Sequence, residues 1–132
     1  MTDILMDTSV AVPLLLTNHP DHAHVAAWAK GKRLAFAGHA LFETYAVLTR
    51  LPAESRLTPD QACRLIDQYP PAEHQLNMPS RDAIRLMAGH GIAGGQVYDA
   101  LVALAAKNDK LATRDRRALE LYNKLGIDVE TI

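Results

Sequence analysis

The chain has 132 residues, with 14 Lys and Arg against 15 Asp and Glu and a formal net charge of −1. Its 48% hydrophobic and 22% charged residues are the mixture of one globular domain, which excludes a disordered, collagenous or disulfide-scaffold protein. The near-zero charge excludes a protein that grips nucleic acid by bulk positive charge, so the placement of single charges decides what it does.

Short apolar runs alternate with longer helical patterns, the signature of βαβ units. Ile4-Leu5-Met6 reads as a buried strand. Thr8 or Ser9 is expected to cap the next helix, with Pro13 in its first turn or just beyond. A helix over His22–Ala29 and a strand over Leu34–Gly38 follow, then a helix over Ala40–Leu51 stopped by Pro52. Thr58-Pro59-Asp60 opens a helix with Pro at its first position, running to about Tyr69 before Pro70-Pro71. Glu73–Met78 reads as a third strand, Ser80 as the cap of a helix to about Ala88, and Gly89–Gly95 as a loop. The alanine-rich stretch Gln96–Lys107 is helical, Lys110–Thr113 a strand, Arg116–Leu125 a helix and Ile127–Glu130 a last strand. The expected fold is α/β, a three-layer α/β/α sandwich on a central, mostly parallel sheet of four to five strands, with residues 1–132 forming one domain.

The lone cysteine, Cys63, cannot close an internal disulfide, which fits a reducing compartment. No run of about 18 apolar residues exists, and Met1-Thr2-Asp3 lacks the basic start of a signal peptide. The expectation is a cytoplasmic protein without a membrane span.

Four acids sit where ordinary proteins avoid them. Asp7 ends the first strand and Asp115 follows the fourth, at the strand ends beyond which parallel sheets build their sites. Asp99 lies within Tyr98-Asp99-Ala100-Leu101-Val102-Ala103, on the apolar stripe it shares with Val102, Ala103 and Ala106. A buried carboxylate needs a cation, donors or a cleft, or it takes up a proton. Glu43 occupies the mostly apolar stretch Leu41-Phe42-Glu43-Thr44-Tyr45. The bland alternatives are helix caps at Asp7 and Asp115, a helix-dipole carboxylate at Asp99, and an ordinary amphipathic face shared by Glu43 and Arg50. Together the four point to an oxygen-only metal site, suited to one or two Mg²⁺ or Mn²⁺ ions that order and activate a water for phosphoryl transfer. Ser9 and Thr113 are candidates to orient a carboxylate or bind a ligand water. Arg114, Arg116 and Arg117 are candidates to bind the phosphate groups of a substrate, which the resemblance described next makes an RNA backbone, against the reading of a solvated face.

These residues resemble the motifs of the PIN-domain nucleases, in particular the VapC-type toxins of prokaryotic toxin–antitoxin pairs. The resemblance runs through Leu5-Met6-Asp7-Thr8-Ser9, Leu41-Phe42-Glu43-Thr44, Tyr98-Asp99-Ala100-Leu101 and Thr113-Arg114-Asp115, with the four acids 36, 56 and 16 residues apart. It implies a metal-dependent endoribonuclease toxin with Asp7, Glu43, Asp99 and Asp115 as catalytic metal ligands. It also implies a homodimer and a VapB-like antitoxin that places a C-terminal segment in or beside the acidic site, in a heterotetramer or larger assembly. In the longer form of the fourth motif an Asp-Phe pair follows, and Ala118-Leu119 stands there here.

Other signals carry less. Gly89-His90-Gly91-Ile92-Ala93-Gly94 matches Gly-x-Gly-x-x-Gly but follows a helix rather than a strand. His19, His22 and His24 lack a fourth close ligand and read as a solvated helix start. Trp28, Leu65, Ile66 and Leu86 read as core or dimer packing, and Tyr45 and Tyr98 as core or cleft wall before base stacking. The competing functions are a non-catalytic binding module of the same fold and an aspartyl-phosphate phosphatase or receiver using Asp7. The latter is weakened because Ser9 fills the second-Asp slot.

Overall fold

The computed structural model describes residues 2–70 and 72–132. Met1 and Pro71, parts of the sequence readings of the chain start and of a helix stop, lie outside the described residues. Five strands form one sheet: β1 (Ile4–Met6), β2 (Leu34–Ala37), β3 (Ala72–His74), β4 (Lys110–Thr113) and β5 (Asp128–Thr131). Their order is β3-β2-β1-β4-β5 and every neighbouring pair is parallel. β1 is therefore central, with Met6 paired to Phe36 on one side and Ala112 on the other. Among the described residues seven helices connect them: α1 (Thr8–Leu15), α2 (His22–Ala29), α3 (Ala40–Thr49), α4 (Pro59–Gln68), α5 (Ser80–Gly89), α6 (Gln96–Ala105) and α7 (Leu119–Lys124). The expected α/β/α sandwich is present, and the sheet is wholly parallel.

A strand buried on both faces must be apolar throughout, and the run Leu34-Ala35-Phe36-Ala37 is buried at every residue. Alternation along the strands divides the core in two. Met6, Phe36 and Ala112 point to the layer of α1 and α2, where Trp28 and, from α4, Leu65 and Ile66 pack half-buried against them. Leu5, Ala35, Ala37 and Leu111 point to the layer of α5, α6 and α7, which Leu86 joins from its margin. No helix among the described residues is long and apolar enough to cross a membrane.

The local signals acted in several places with shifted boundaries. Thr58 caps α4 with the reciprocal Gln61 bond of a capping box, and Pro59 opens the helix. The cap of α1 is Asp7, one residue before the expected Thr8 or Ser9, because its carboxylate reaches the Ser9 amide. Pro13 lies inside α1 just beyond its first turn, as expected. Ser80 is the first residue of α5, and its cap, Pro79, offers no side-chain bond. The third strand is Ala72–His74 instead of Glu73–Met78. Leu76 and Met78 satisfy their apolar character by packing against the core from a loop. The last helix is shorter than Arg116–Leu125, because residues 116–118 form a turn. β5 lies one residue beyond Ile127–Glu130. Gly91 and Gly94 turn the segment before α6 with φ of 70° and 60°, a conformation open to glycine.

Candidate active site

The C-terminal edge of the sheet presents the ends of β1 and β4 and the first turns of α3 and α6. Four carboxylates meet there: Asp7 after β1, Glu43 in α3, Asp99 in α6 and Asp115 after β4 line one cleft of about 50 Å³, together with Tyr122. The sequence is separated by as much as 108 residues between these acids, and the parallel register alone brings them to one edge.

Asp7 is the anchor of the site. It is only 5% exposed, and its backbone amide bonds Ala112 O at 3.3 Å, fastening β1 to β4. Its Oδ1 accepts from the Ser9 amide at 3.0 Å and from the Ser9 hydroxyl at 2.5 Å. Its Oδ2 accepts from the Thr113 hydroxyl at 2.5 Å and the Tyr122 hydroxyl at 3.0 Å. Four donors thus fill the four acceptor positions of an ionised carboxylate. Burial pushes the Asp7 carboxyl up from its ordinary value, and the hydroxyls and the Ser9 amide pull it back. The same pairing pushes the Tyr122 phenol far up: burial acts first and the Asp7 charge second, so it stays a donor.

Ser9 and Thr113 have further bonds that rigidify the edge. Ser9 Oγ accepts from the Arg114 amide at 2.7 Å, and Thr113 Oγ1 accepts from the Asp115 amide at 3.0 Å. Both hydroxyls spend their hydrogens on Asp7, so their mutual 3.3 Å approach is a contact between oxygens rather than a bond. Asp115 Oδ1 accepts from the Arg117 amide at 2.9 Å, which sets the turn before α7. Thr8, in the first turn of α1, donates to Glu43 at 3.3 Å or to Ala40 O at 3.4 Å. The cap expected as the bland alternative at Asp7 is real, whereas Asp115 holds the turn before α7, whose cap is Ala118; both acids line the cleft as well.

Asp99 differs. Among the described residues no donor hydrogen-bonds it. Burial raises its carboxyl above the ordinary value, and the charges of Glu43, Asp115 and Asp7 raise it further. A carboxylate repelled by three others on an otherwise apolar stripe fits a site built for positive charge. The donor set is oxygen only, which suits a hard cation. Among the described residues no group of three or more His, Cys, Asp or Glu side chains is placed to hold an ion between them.

The three arginines diverge. Arg114 turns back to Asp21, with 3.1 Å between its guanidinium and the carboxylate, and its Nε is buried without a partner. Arg116 is exposed beside Ile132, and Arg117 is exposed on another wall with Glu120 and Lys124. His19 accepts from the Asp21 amide and His22 meets Pro13 O at 2.9 Å, so the first two histidines serve the α1–α2 turn, while His24 is exposed. Sequence reasoning passed over Tyr122 and His39. Tyr122 carries no local signal, since its partner is 115 residues away. His39 lies one turn before Glu43, with Nε2 at 4.0 Å from the carboxylate, and its ring stacks on Tyr98. Tyr98 was expected in the core or cleft wall, and it is 53% exposed at the cleft mouth.

With this geometry in place, the chain compares closely with known proteins. The PIN domain family model matches residues 4–124. The chain belongs to the PIN-domain family. This PIN domain is 48% identical over 129 residues to Ribonuclease VapC27 of Mycobacterium tuberculosis, covering 96% of the chain and 94% of that protein. It is 40% identical over 134 residues to Ribonuclease VapC40 of the same species, with 98% of each covered. These likenesses place it among the VapC-type members. In fold it resembles a chain in the crystal structure of VapBC2 from Rickettsia felis bound to a DNA fragment from their promoter, with a TM-score of 0.65 at 14% identity and 99% of each chain covered.

Proposed function

We propose that this PIN domain is an endoribonuclease that depends on Mg²⁺ or Mn²⁺ and acts as the toxin of a VapBC-type pair, held in check by a VapB-like antitoxin. The observation that carries this reading is Asp99, a carboxylate without a donor that faces three other carboxylates at the C-terminal edge of a parallel sheet. The relatives named as ribonucleases support the substrate class. The VapBC2 complex, alike in fold, agrees with the partner class.

In the mechanism, Asp7 serves as the rigid floor, held by Ser9, Thr113 and Tyr122 so that its charge cannot turn away. Glu43, Asp99 and Asp115 would hold a cation, directly or through its waters, and direct ligation by Asp7 requires one of its hydroxyl donors to yield. The ion, when bound, offsets the mutual repulsion of the acids, lowers the pKa of a water and balances charge on the phosphoryl group. Carboxylate oxygens of Glu43 and Asp99 would accept from an attacking water and orient it toward the phosphodiester. Exposed Arg116 and Arg117 meet the RNA backbone and offset the acidic edge. The protein works in the cytoplasm as a homodimer, assembled with its antitoxin into a heterotetramer or larger complex.

Expression of wild type and of Asp99→Asn in a bacterial host, followed by mapping of new RNA 5′ ends, tests the reading. Asn keeps the shape of Asp99 at a half-exposed position, so loss of cleavage there is not loss of the fold. Growth arrest with discrete new ends in wild type and neither in the variant is the expected result. A harmless wild type with no new ends overturns it.

A further inference from the structure

The mouth of the acidic cleft opens into a second, larger cavity of about 390 Å³ that shares Glu43 and Asp99 with it and is walled by His39, Tyr98 and Arg50. The rings on this wall are unusual for their exposure. His39 and Tyr98 stack at 5.1 Å between centroids and 23° between planes, with Tyr98 53% exposed. Phe42, 68% exposed, lies beside this wall rather than on it and tilts against His39 at 6.0 Å. Neither Phe42 nor Tyr98 is needed by the core, and two large rings left in water beside a catalytic cleft are unexplained by packing.

We infer that this wall is a stacking platform for one unpaired nucleobase of the RNA strand, seated on Tyr98 with His39 behind it, next to the phosphodiester that a cation among the acids would hold. The inference rests on the ribonuclease reading above and adds to it where the strand lies and what form it takes. The chemistry of the cavity selects the occupant. A flat π system finds the pre-stacked rings, whose arrangement is already ordered and costs little entropy to use. The chain of phosphates attached to that base finds Arg50, an exposed cation on the same cavity. A paired base hides both of its faces in the duplex, so the platform admits single-stranded or looped RNA and refuses a helix. Because every base has a π face, the platform sets strand form and register rather than a cleavage sequence.

The test uses the full-length protein and two single-stranded RNA oligonucleotides of the same sequence, one intact and one with abasic riboses flanking the cut site. Binding is read by fluorescence anisotropy in EDTA, and cleavage in Mn²⁺. Wild type is expected to bind the intact strand roughly 5- to 150-fold more tightly than the abasic one. Tyr98→Leu is expected to lose that preference and bind both strands alike, and Tyr98→Phe, which keeps the ring, to recover most of it. Equal losses for Tyr98→Leu on both strands, no preference in wild type, or no binding at all overturn the platform. A shift of Tyr98→Leu from dimer to monomer in sedimentation also overturns it, since the wall is then covered by a second copy. Base-dependent binding without cleavage keeps the platform and sinks the nuclease reading. Cleavage without base dependence does the reverse.

Discussion

The phenol of Tyr122 donates to the buried carboxylate of Asp7 across 3.0 Å, joining the first strand to the last helix. The bond closes the set of four donors around a charge that would otherwise be stranded in the core.

Tyr122→Phe removes this donor and nothing else of size. A hydrogen bond to a charged group is worth about 1.5–3 kcal/mol. The variant is expected to lose a stability of that order in urea unfolding, with its secondary structure unchanged by circular dichroism. Its cleavage rate should fall as well, because Asp7 Oδ2 is then held by Thr113 alone.

Asp99→Asn has opposite effects on stability and on activity. The folded-state carboxyl lies above its unfolded value of 3.8, so the folded form holds its proton longer and stability falls as pH rises through that window. The variant is expected to melt a few degrees higher than wild type at neutral pH in EDTA, a gap that closes as pH falls below 3.8. Thermal melts from pH 7 to pH 3, run beside the cleavage assay, check both halves.

Divalent ions invert that ranking. Mg²⁺ or Mn²⁺ is expected to raise the melting temperature of wild type by binding only the folded form, to a degree set by concentration over the dissociation constant. Asp99→Asn should gain much less. Equal gains in the two proteins would place the ion away from Asp99.

At the N-terminal approach to β1 the sign is reversed. Asp3 is held below its ordinary value, first by the hydrogen bond from His74 and then by Arg33, with contacts of 2.7 and 2.8 Å. Its contribution is complete above the unfolded value of 3.8 and is lost as pH falls through the lower folded value. Asp3→Asn is expected to cost under about 1 kcal/mol at pH 7. The cost should shrink toward zero in acid, read from urea midpoints across pH.

Gly38→Ala is expected to destabilise by about 1–3 kcal/mol. Its φ is +45°, and an added Cβ would come within 3.1 Å of the Ala105 Cβ and 3.3 Å of His74 O. Chemical denaturation measures the loss. The same change at Gly89, where a Cβ meets nothing within 4 Å, provides the comparison.

The parts of this molecule that a reader of the sequence reaches first are those whose cause is local or repetitive. Asp99 stands out because an apolar stripe surrounds it, and the strands β1 and β4 because short apolar runs precede acids. The layer order follows from the alternation of helix and strand. Tyr122 and His39 are silent, because their value comes from partners brought by the fold: Asp7 for one, and Tyr98 for the other. Arg114 misleads in its own way. It stands in a basic run beside Asp115, and only the position of Asp21 at the start of α2 shows that its guanidinium turns away from Asp115. The end of β3 is hidden for a further reason, since a loop residue such as Leu76 can fill a core as well as a strand residue does.

The central position of β1 has a consequence for how a cell makes this protein. β1 is flanked on both sides, and its second neighbour, residues 110–113, comes more than a hundred residues later in the sequence. Asp7 meets Thr113 and Tyr122 only after more than a hundred further residues have been made. A nascent chain, or one cut short by premature termination, therefore carries Asp7 without the fourth acid and without the Thr113 and Tyr122 donors that hold it. The acidic cleft is therefore complete only when residues 113–122 have been made and folded against β1.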